Sequence, residues 1–223
     1  MSQAIRIVCI ALIIALSAPA AAAQADEGVE KAVLRLQQRY AGIRTLSADF
    51  RQTYRAPGIE MVESGVLWMK KPGLMRWEYR NPETKLFVTD GREMFLYMPE
   101  DRQVQVSRLD ERGLRSTPLQ FLLGQGDLEK NFRAFPEEQL KSALPGTVML
   151  RLVPRSSERD YDYVILEVDE KVFDLRRIVI GEKTGNTSEF LFSNMAANIK
   201  IDDRQFQFNV PRGVEVMRME NKD

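Results

Sequence analysis

Val66-Leu67-Trp68-Met69-Lys70-Lys71-Pro72-Gly73-Leu74-Met75-Arg76-Trp77-Glu78-Tyr79 places two apolar-rich runs on either side of a Lys-Pro-Gly break. Proline fixes φ and glycine accepts positive φ, so the break reads as a turn and the runs as paired strands. The pattern continues outward. Upstream, Leu46, Ala48 and Phe50 alternate with Ser47, Asp49 and Arg51, the period of two expected of a strand with one buried face. Ala56-Pro57-Gly58, Asn81-Pro82, Asp90-Gly91 and Pro99-Glu100-Asp101 supply further turns, so short strands follow one another from Leu46 to Val106. Asp90-Gly91 between two apolar runs is a tight-hairpin signal. The whole stretch reads as an antiparallel meander.

Strands resume later. Val148, Leu150 and Leu152 share a face, as do Val164, Leu166 and Val168, Ile178 and Ile180, and Phe190 and Phe192. Gly185-Asn186 marks a turn between the last two. A final pair is expected around Phe206-Phe208 and Val214-Val216, separated by Pro211-Arg212-Gly213. Ahead of all the strands, Val29, Val33, Leu36, Tyr40 and Ile43 recur at spacings of four and three, one face of an amphipathic helix ending near Gly42. Between the two sets of strands, Thr117-Pro118 precedes Leu119, Phe121, Leu122, Leu123 and Gly124. Threonine as cap, proline in the first turn and glycine at the end predict a short helix. Asp127 to Phe132 predicts one more helical turn. The fold class is mainly β with α. A single sheet this long must curl strongly or close, and the apolar stripes of the helices need its concave face.

The first twenty-three residues read differently. Arg6, the apolar run Ile7 to Leu16 and the small-residue tail Ser17 to Ala23 predict a secretory signal peptide cleaved after Ala23, too short to span a membrane. Residues 24–223 then form one exported domain. Removing Arg6 leaves 31 basic and 32 acidic residues, net −1, with no basic excess for nucleic acid or anionic lipid. Cys9 is the only cysteine and leaves with the leader, and there is no histidine. Disulfides, thiol and imidazole catalysis, and cysteine or histidine metal ligation are thereby closed to the exported chain. Glu78, Glu83, Asp90, Asp101 and Asp110 could supply a carboxylate pair, but their positions read as strand-exposed charges, turn residues and caps. Asp202-Asp203 reads as a solvated turn. No phosphate-binding glycine loop is present. No catalytic residue, metal or cofactor is expected.

Val66 to Met69 and Met94 to Met98 are apolar on both faces, so both sides of those strands must be covered. One reading is core on one side and helix packing on the other. The sharper one is an apolar cavity between sheet and helices, lined by Trp68, Trp77, Phe95 and Tyr97. Nine methionines after the leader fit either.

These residues resemble a known family. Lys71-Pro72-Gly73-Leu74-Met75-Arg76-Trp77-Glu78-Tyr79 is similar to the basic-Pro-Gly-x-x-Arg-Trp-x-Tyr signature of LolA, the periplasmic carriers of outer-membrane lipoproteins. Ala48-Asp49-Phe50-Arg51-Gln52 resembles the family's first strand, and Thr89-Asp90-Gly91 with Met94-Phe95-Leu96-Tyr97 its hairpin. Thr117 to Leu123 resembles its lid helix, and Phe206 to Val214 its ending. The resemblance implies an incomplete, half-open antiparallel β-barrel covered by short lid helices. It implies a periplasmic, monomeric chaperone that is not an enzyme and binds acylated lipoproteins. An inner-membrane ABC-type release complex would load it, and an outer-membrane receptor, where the host has one, would accept the cargo. The cavity would be lined by Tyr40, Phe50, Trp68, Trp77, Phe95, Tyr97, Phe121 and Leu122. Lys71 stands where the family has a basic residue, often arginine, that latches the lid through its carbonyls, here near Leu122 and Leu123. A lysine offers one flexible point charge where arginine offers a fork of donors, so a looser latch is expected. Met75 falls at an apolar position beside that loop, a candidate partner contact. Two other functions remain on sequence grounds: a carrier or sensor of another lipid on the same fold, and a histidine-free envelope hydrolase.

Overall fold

A computed structural model describes residues 18–109, 127–156 and 160–219. Helix α1 (Ala18–Ala41) leads into β1 (Thr45–Ala56), β2 (Ile59–Lys70), β3 (Leu74–Asn81), β4 (Lys85–Asp90), β5 (Glu93–Met98) and β6 (Gln103–Arg108). The single turn α2 (Leu128–Asn131), capped by Asp127, then precedes β7 (Phe132–Pro136), β8 (Thr147–Pro154), β9 (Tyr161–Asp169), β10 (Leu175–Glu182) and β11 (Thr187–Ala197). A 3₁₀ turn (Asp203–Phe206) and β12 (Glu215–Arg218) finish the described chain. The Lys-Pro-Gly and Asp-Gly breaks are hairpin turns, with Gly73 at φ 75° and Gly91 at φ 89°, where a side chain would be strained.

All twelve strands join one open sheet in the order β12-β6-β5-β4-β3-β2-β1-β11-β10-β9-β8-β7. It consists of two meanders, β1–β6 and β7–β11, sewn together where β1 pairs antiparallel with β11, Phe50 lying opposite Phe192. The half-open antiparallel architecture expected from the sequence is what the chain adopts, with one correction. Phe206–Phe208 and Val214–Val216 do not pair. Phe206 closes the 3₁₀ turn, and the chain crosses the sheet to lay β12 parallel to β6, Val216 opposite Val104. Phe206 is buried in that turn and Phe208 is drawn off to cover Phe95 and Tyr97, so no strand is left for the return to pair with.

Partners across a sheet share a face and neighbours along a strand alternate, so the register defines two sides. The row Ala48, Leu67, Trp77, Phe87 and Leu96 lies on the inner side. There α1 buries Val29, Val33, Leu36 and Tyr40 against Phe50, Trp77, Leu150, Leu166, Ile178 and Phe192, as the helical period predicts. Each such side chain withdrawn from water contributes about 1.5–3 kcal/mol. The row Trp68, Arg76, Val88, Phe95 and Val106 lies on the outer side. Phe208 and Val214 pack on Phe95, Val104 and Val106 there. The C-terminal segment thus covers the outer side of β5 and β6, which accounts for the apolar outer face of Met94 to Met98. Further along the outer side, a chain of charges runs from buried Glu167 and Arg177 across the seam to exposed Arg55. Glu167 pairs with Arg177 at 3.3 Å, Arg177 with Glu189 at 2.7 Å, and Glu189 with Arg55 at 2.7 Å. The Arg177–Glu189 contact is an ion pair not aligned as a hydrogen bond.

Candidate functional site

The inner side offers an aromatic floor. Phe50 sits 4.8 Å from Trp77 and 4.9 Å from Tyr79, ring centre to ring centre, and Trp77 sits 5.7 Å from Phe190 and 6.4 Å from Phe192. Tilted and edge-on contacts of this kind keep rings at favourable separations. Above the floor, α1 is tied down at its C-terminal end. The Tyr40 hydroxyl accepts from the Leu175 amide at 3.1 Å, Arg39 bonds Asp174 at 2.8 Å, and the Lys71 ammonium donates to the Tyr40 carbonyl. The Lys71 amide also donates to the Arg44 carbonyl at 2.8 Å, which holds the β2–β3 turn to the segment that follows α1. A cation at the carbonyl end of a helix is favourably placed. Burial holds the Lys71 pKa below the ordinary lysine value.

The residues expected to line one cavity divide between two sides. Tyr40, Phe50 and Trp77 meet on the inner side, all buried. Trp68, Phe95 and Tyr97 stand on the outer side, where Phe208 lies 5.4 Å from Phe95 and 5.5 Å from Tyr97. Phe121, Leu122 and Leu123 lie outside the described residues. Lys71 meets the helix carbonyl of Tyr40, so the acceptor given by the structure belongs to α1. Met75 is only 4% exposed in the inner core and presents no surface to a partner in this conformation. Sequence reasoning missed Phe87 and Leu96, which continue the inner row, and Phe190, which abuts Trp77. The signal for them was present in the turn. Lys70 opposite Leu74 in a Lys-Pro-Gly hairpin makes Leu67, and not Trp68, the partner of Trp77.

The carboxylates behave as turn and surface groups. Asp90 accepts from the amides of Arg92 and Glu93, and Asp202 caps the 3₁₀ turn through the Arg204 amide. Glu78 is paired with Arg76 and Arg80. Asp110 lies outside the described residues.

The class of fold is an open antiparallel meander sheet with a helix laid over its aromatic inner side. Residues 41–209 match the family described as outer membrane lipoprotein carrier protein LolA, and the chain belongs to that family. The outer-membrane lipoprotein carrier protein of Azotobacter vinelandii is 33% identical over 92% of this chain and 97% of its own length. The protein of the same name from Pseudomonas aeruginosa is 32% identical over 96% and 99%. An uncharacterized conserved protein from Thermus thermophilus has the same fold, with a TM-score of 0.52 at 14% identity over 85% of this chain and 98% of its own. No described helix is long and apolar enough to cross a membrane.

Proposed function

We propose that this chain ferries acylated lipoproteins across the periplasm, holding their acyl chains on the inner side of the sheet beneath α1. The observation that carries this reading is the aromatic floor of Phe50, Trp77, Phe190 and Phe192 under a helix pinned at one end by a lysine. Family membership supports it, as does the export signal expected in residues 1–23. An ABC-type complex of the inner membrane loads the carrier, and a receptor at the outer membrane unloads it. No covalent step is involved.

The energetics suit a shuttle. Burying acyl chains stabilises by about 0.8 kcal/mol per methylene, so complete burial of two or three chains would leave cargo too tightly held to hand over. A closed empty state that competes with cargo solves this, because the cover shifts between two populations. Here α1 already fills the floor, and its packing is what cargo must displace. A hydrogen bond from a charged donor contributes about 1.5–3 kcal/mol, enough to move that balance about ten- to a hundredfold. Lys71→Leu is therefore expected to load at least as well as the wild type while transfer to the acceptor falls at least about tenfold. Transfer assayed between loaded carrier and acceptor membranes checks it, and undiminished transfer refutes the latch.

The function itself is tested by release. Exported protein is added to spheroplasts, and the soluble fraction is analysed by mass spectrometry. Acylated lipoprotein in complex with the chain supports the reading. A different lipid in its place would move the function to another cargo on the same scaffold.

A further inference from the structure

Beside the aromatic floor the inner side carries a polar spot. Gln52 of β1 lies opposite Glu63 of β2, and Tyr79 of β3 lies opposite Lys85 of β4. A register shift at Ser64 and Gly65 brings Tyr79 opposite Gly65, and its hydroxyl then donates to Gln52 Oε1 at 2.9 Å. Lys85 forms an ion pair with Glu63, and its Nζ stands 4.9 Å from the centre of the Tyr79 ring. The pair is mostly withdrawn from water, Lys85 at 27% and Glu63 at 17% exposure. This polar spot separates the aromatic floor from the apolar β1–β2 hairpin tip, where Ile59 and Met61 are more than half exposed.

Polar groups on an apolar face cost free energy unless they are satisfied or used, and apolar replacements of a half-buried ion pair are often neutral or better. Some donors here are left unused. Lys85 carries three N–H groups for one carboxylate, and the Gln52 amide nitrogen makes no hydrogen bond to the described residues. Glu63 cancels the charge of Lys85, so the spot offers donors at zero net charge. Acyl chains are joined to the molecules that bear them by ester or amide groups, which are uncharged and present carbonyl acceptors. We propose that Gln52 and Lys85 bind the neutral carbonyl linkages of an acylated cargo. Tyr79 positions Gln52, and Glu63 tunes the subsite against free carboxylates. This rests on the acyl-carrier reading and deepens it. Chains lie on the floor, linkages lie at the polar spot, and the cargo's polar body leaves past the hairpin tip.

The test uses three probes and the purified exported protein: monolauroylglycerol, 1-O-dodecylglycerol, which differs only in lacking the carbonyl, and laurate. The wild type is expected to bind the ester about five- to tenfold more tightly than the ether, the scale of one or two hydrogen bonds. Gln52→Leu and Lys85→Met should erase that preference and leave ether affinity within about twofold. Glu63→Gln, which keeps the volume, should raise laurate affinity about tenfold by leaving Lys85 uncompensated. Thermal melts confirm folding of each variant, and the Glu63→Gln arm stands even if Lys85→Met does not fold. Equal binding of ester and ether by the wild type, or variants that weaken both alike, overturns the subsite and leaves the carrier reading intact. Failure of the wild type to bind any of the three overturns both.

Discussion

Glu167→Ala is expected to cost the folded state about 3–5 kcal/mol, the range for breaking a buried ion pair from one side. Glu167 is fully buried on β9. It accepts from Ser142 Oγ at 2.7 Å, Thr147 Oγ1 at 2.8 Å, and the amides of Ala143 and Leu144 at 3.0 Å each. It thereby pins the β7–β8 connection to the outer side of the sheet. It also faces Arg177, 6% exposed, which alanine would leave with one of its two carboxylates missing. Chemical denaturation measures the loss. The double variant Glu167→Leu with Arg177→Met, which removes both charges and fills the space, should recover the share owed to the uncompensated Arg177 charge, while the hydrogen bonds from Ser142, Thr147, Ala143 and Leu144 stay lost. A single variant within about 1 kcal/mol of wild type would show that the pair is structurally idle.

Acid should reveal the same group. Burial pushes the Glu167 carboxyl up, but the hydrogen bonds from Ser142, Thr147, Ala143 and Leu144 prevail and hold its pKa below the usual glutamate value. A carboxyl whose folded pKa is lowered contributes stability that is complete above its unfolded pKa, about 4.3, and is lost as pH falls through the folded value. The melting temperature of the wild type should therefore fall more steeply than that of the double variant below about pH 4. Parallel slopes would refute the assignment.

Gly65→Ala is the second large effect, expected at about 3 kcal/mol, the upper end for an overpacked position. A Cβ at Gly65 would stand 1.8 Å from the Glu78 carbonyl oxygen and 3.0 Å from a ring carbon of Phe50. The first neighbour is backbone and cannot rotate away, so β2 and β3 must separate or slip. Glycine inside a strand here marks a close approach of two backbones at the register shift. The slip would carry Tyr79 away from Gln52, so loss of stability and loss of ester preference should appear together. A stable Gly65→Ala protein with intact ester preference would show that the shift has slack. Exposed Gly28, with nothing near its Cβ, is the matched control.

Much of this fold is legible in the chain itself. The alternation of Leu46, Ala48 and Phe50, the Lys-Pro-Gly and Asp-Gly turns and the helical spacing of Val29, Val33, Leu36 and Tyr40 are local signals, and local geometry enforces them. Assigning sides to two-faced strands is harder. Trp68 and Trp77 look equivalent in composition, and only the hairpin register shows that one faces α1 and the other faces away. Phe95 and Tyr97 were misplaced for the same reason, because the cover they receive comes from Phe208, over a hundred residues further along the chain. The polar spot was invisible, since Gln52, Glu63, Tyr79 and Lys85 come together only when four strands are in register around one shifted glycine.

The seam between β1 and β11 sets an order of assembly. A chain emerging from its N-terminus can finish the β1–β6 meander early, by contacts between neighbours, yet one edge of β1 stays bare until roughly 130 further residues, from Pro57 to Asn186, have followed it. During that interval the sheet displays a twelve-residue strand, apolar on one side, with its backbone amides and carbonyls unpaired, a template for any extended neighbour. The last long strand made is the one that seals the first. A product truncated before Thr187 would thus hold two unjoined meanders with the β1 edge bare, prone to pairing with its own copies, and would not be a smaller working carrier.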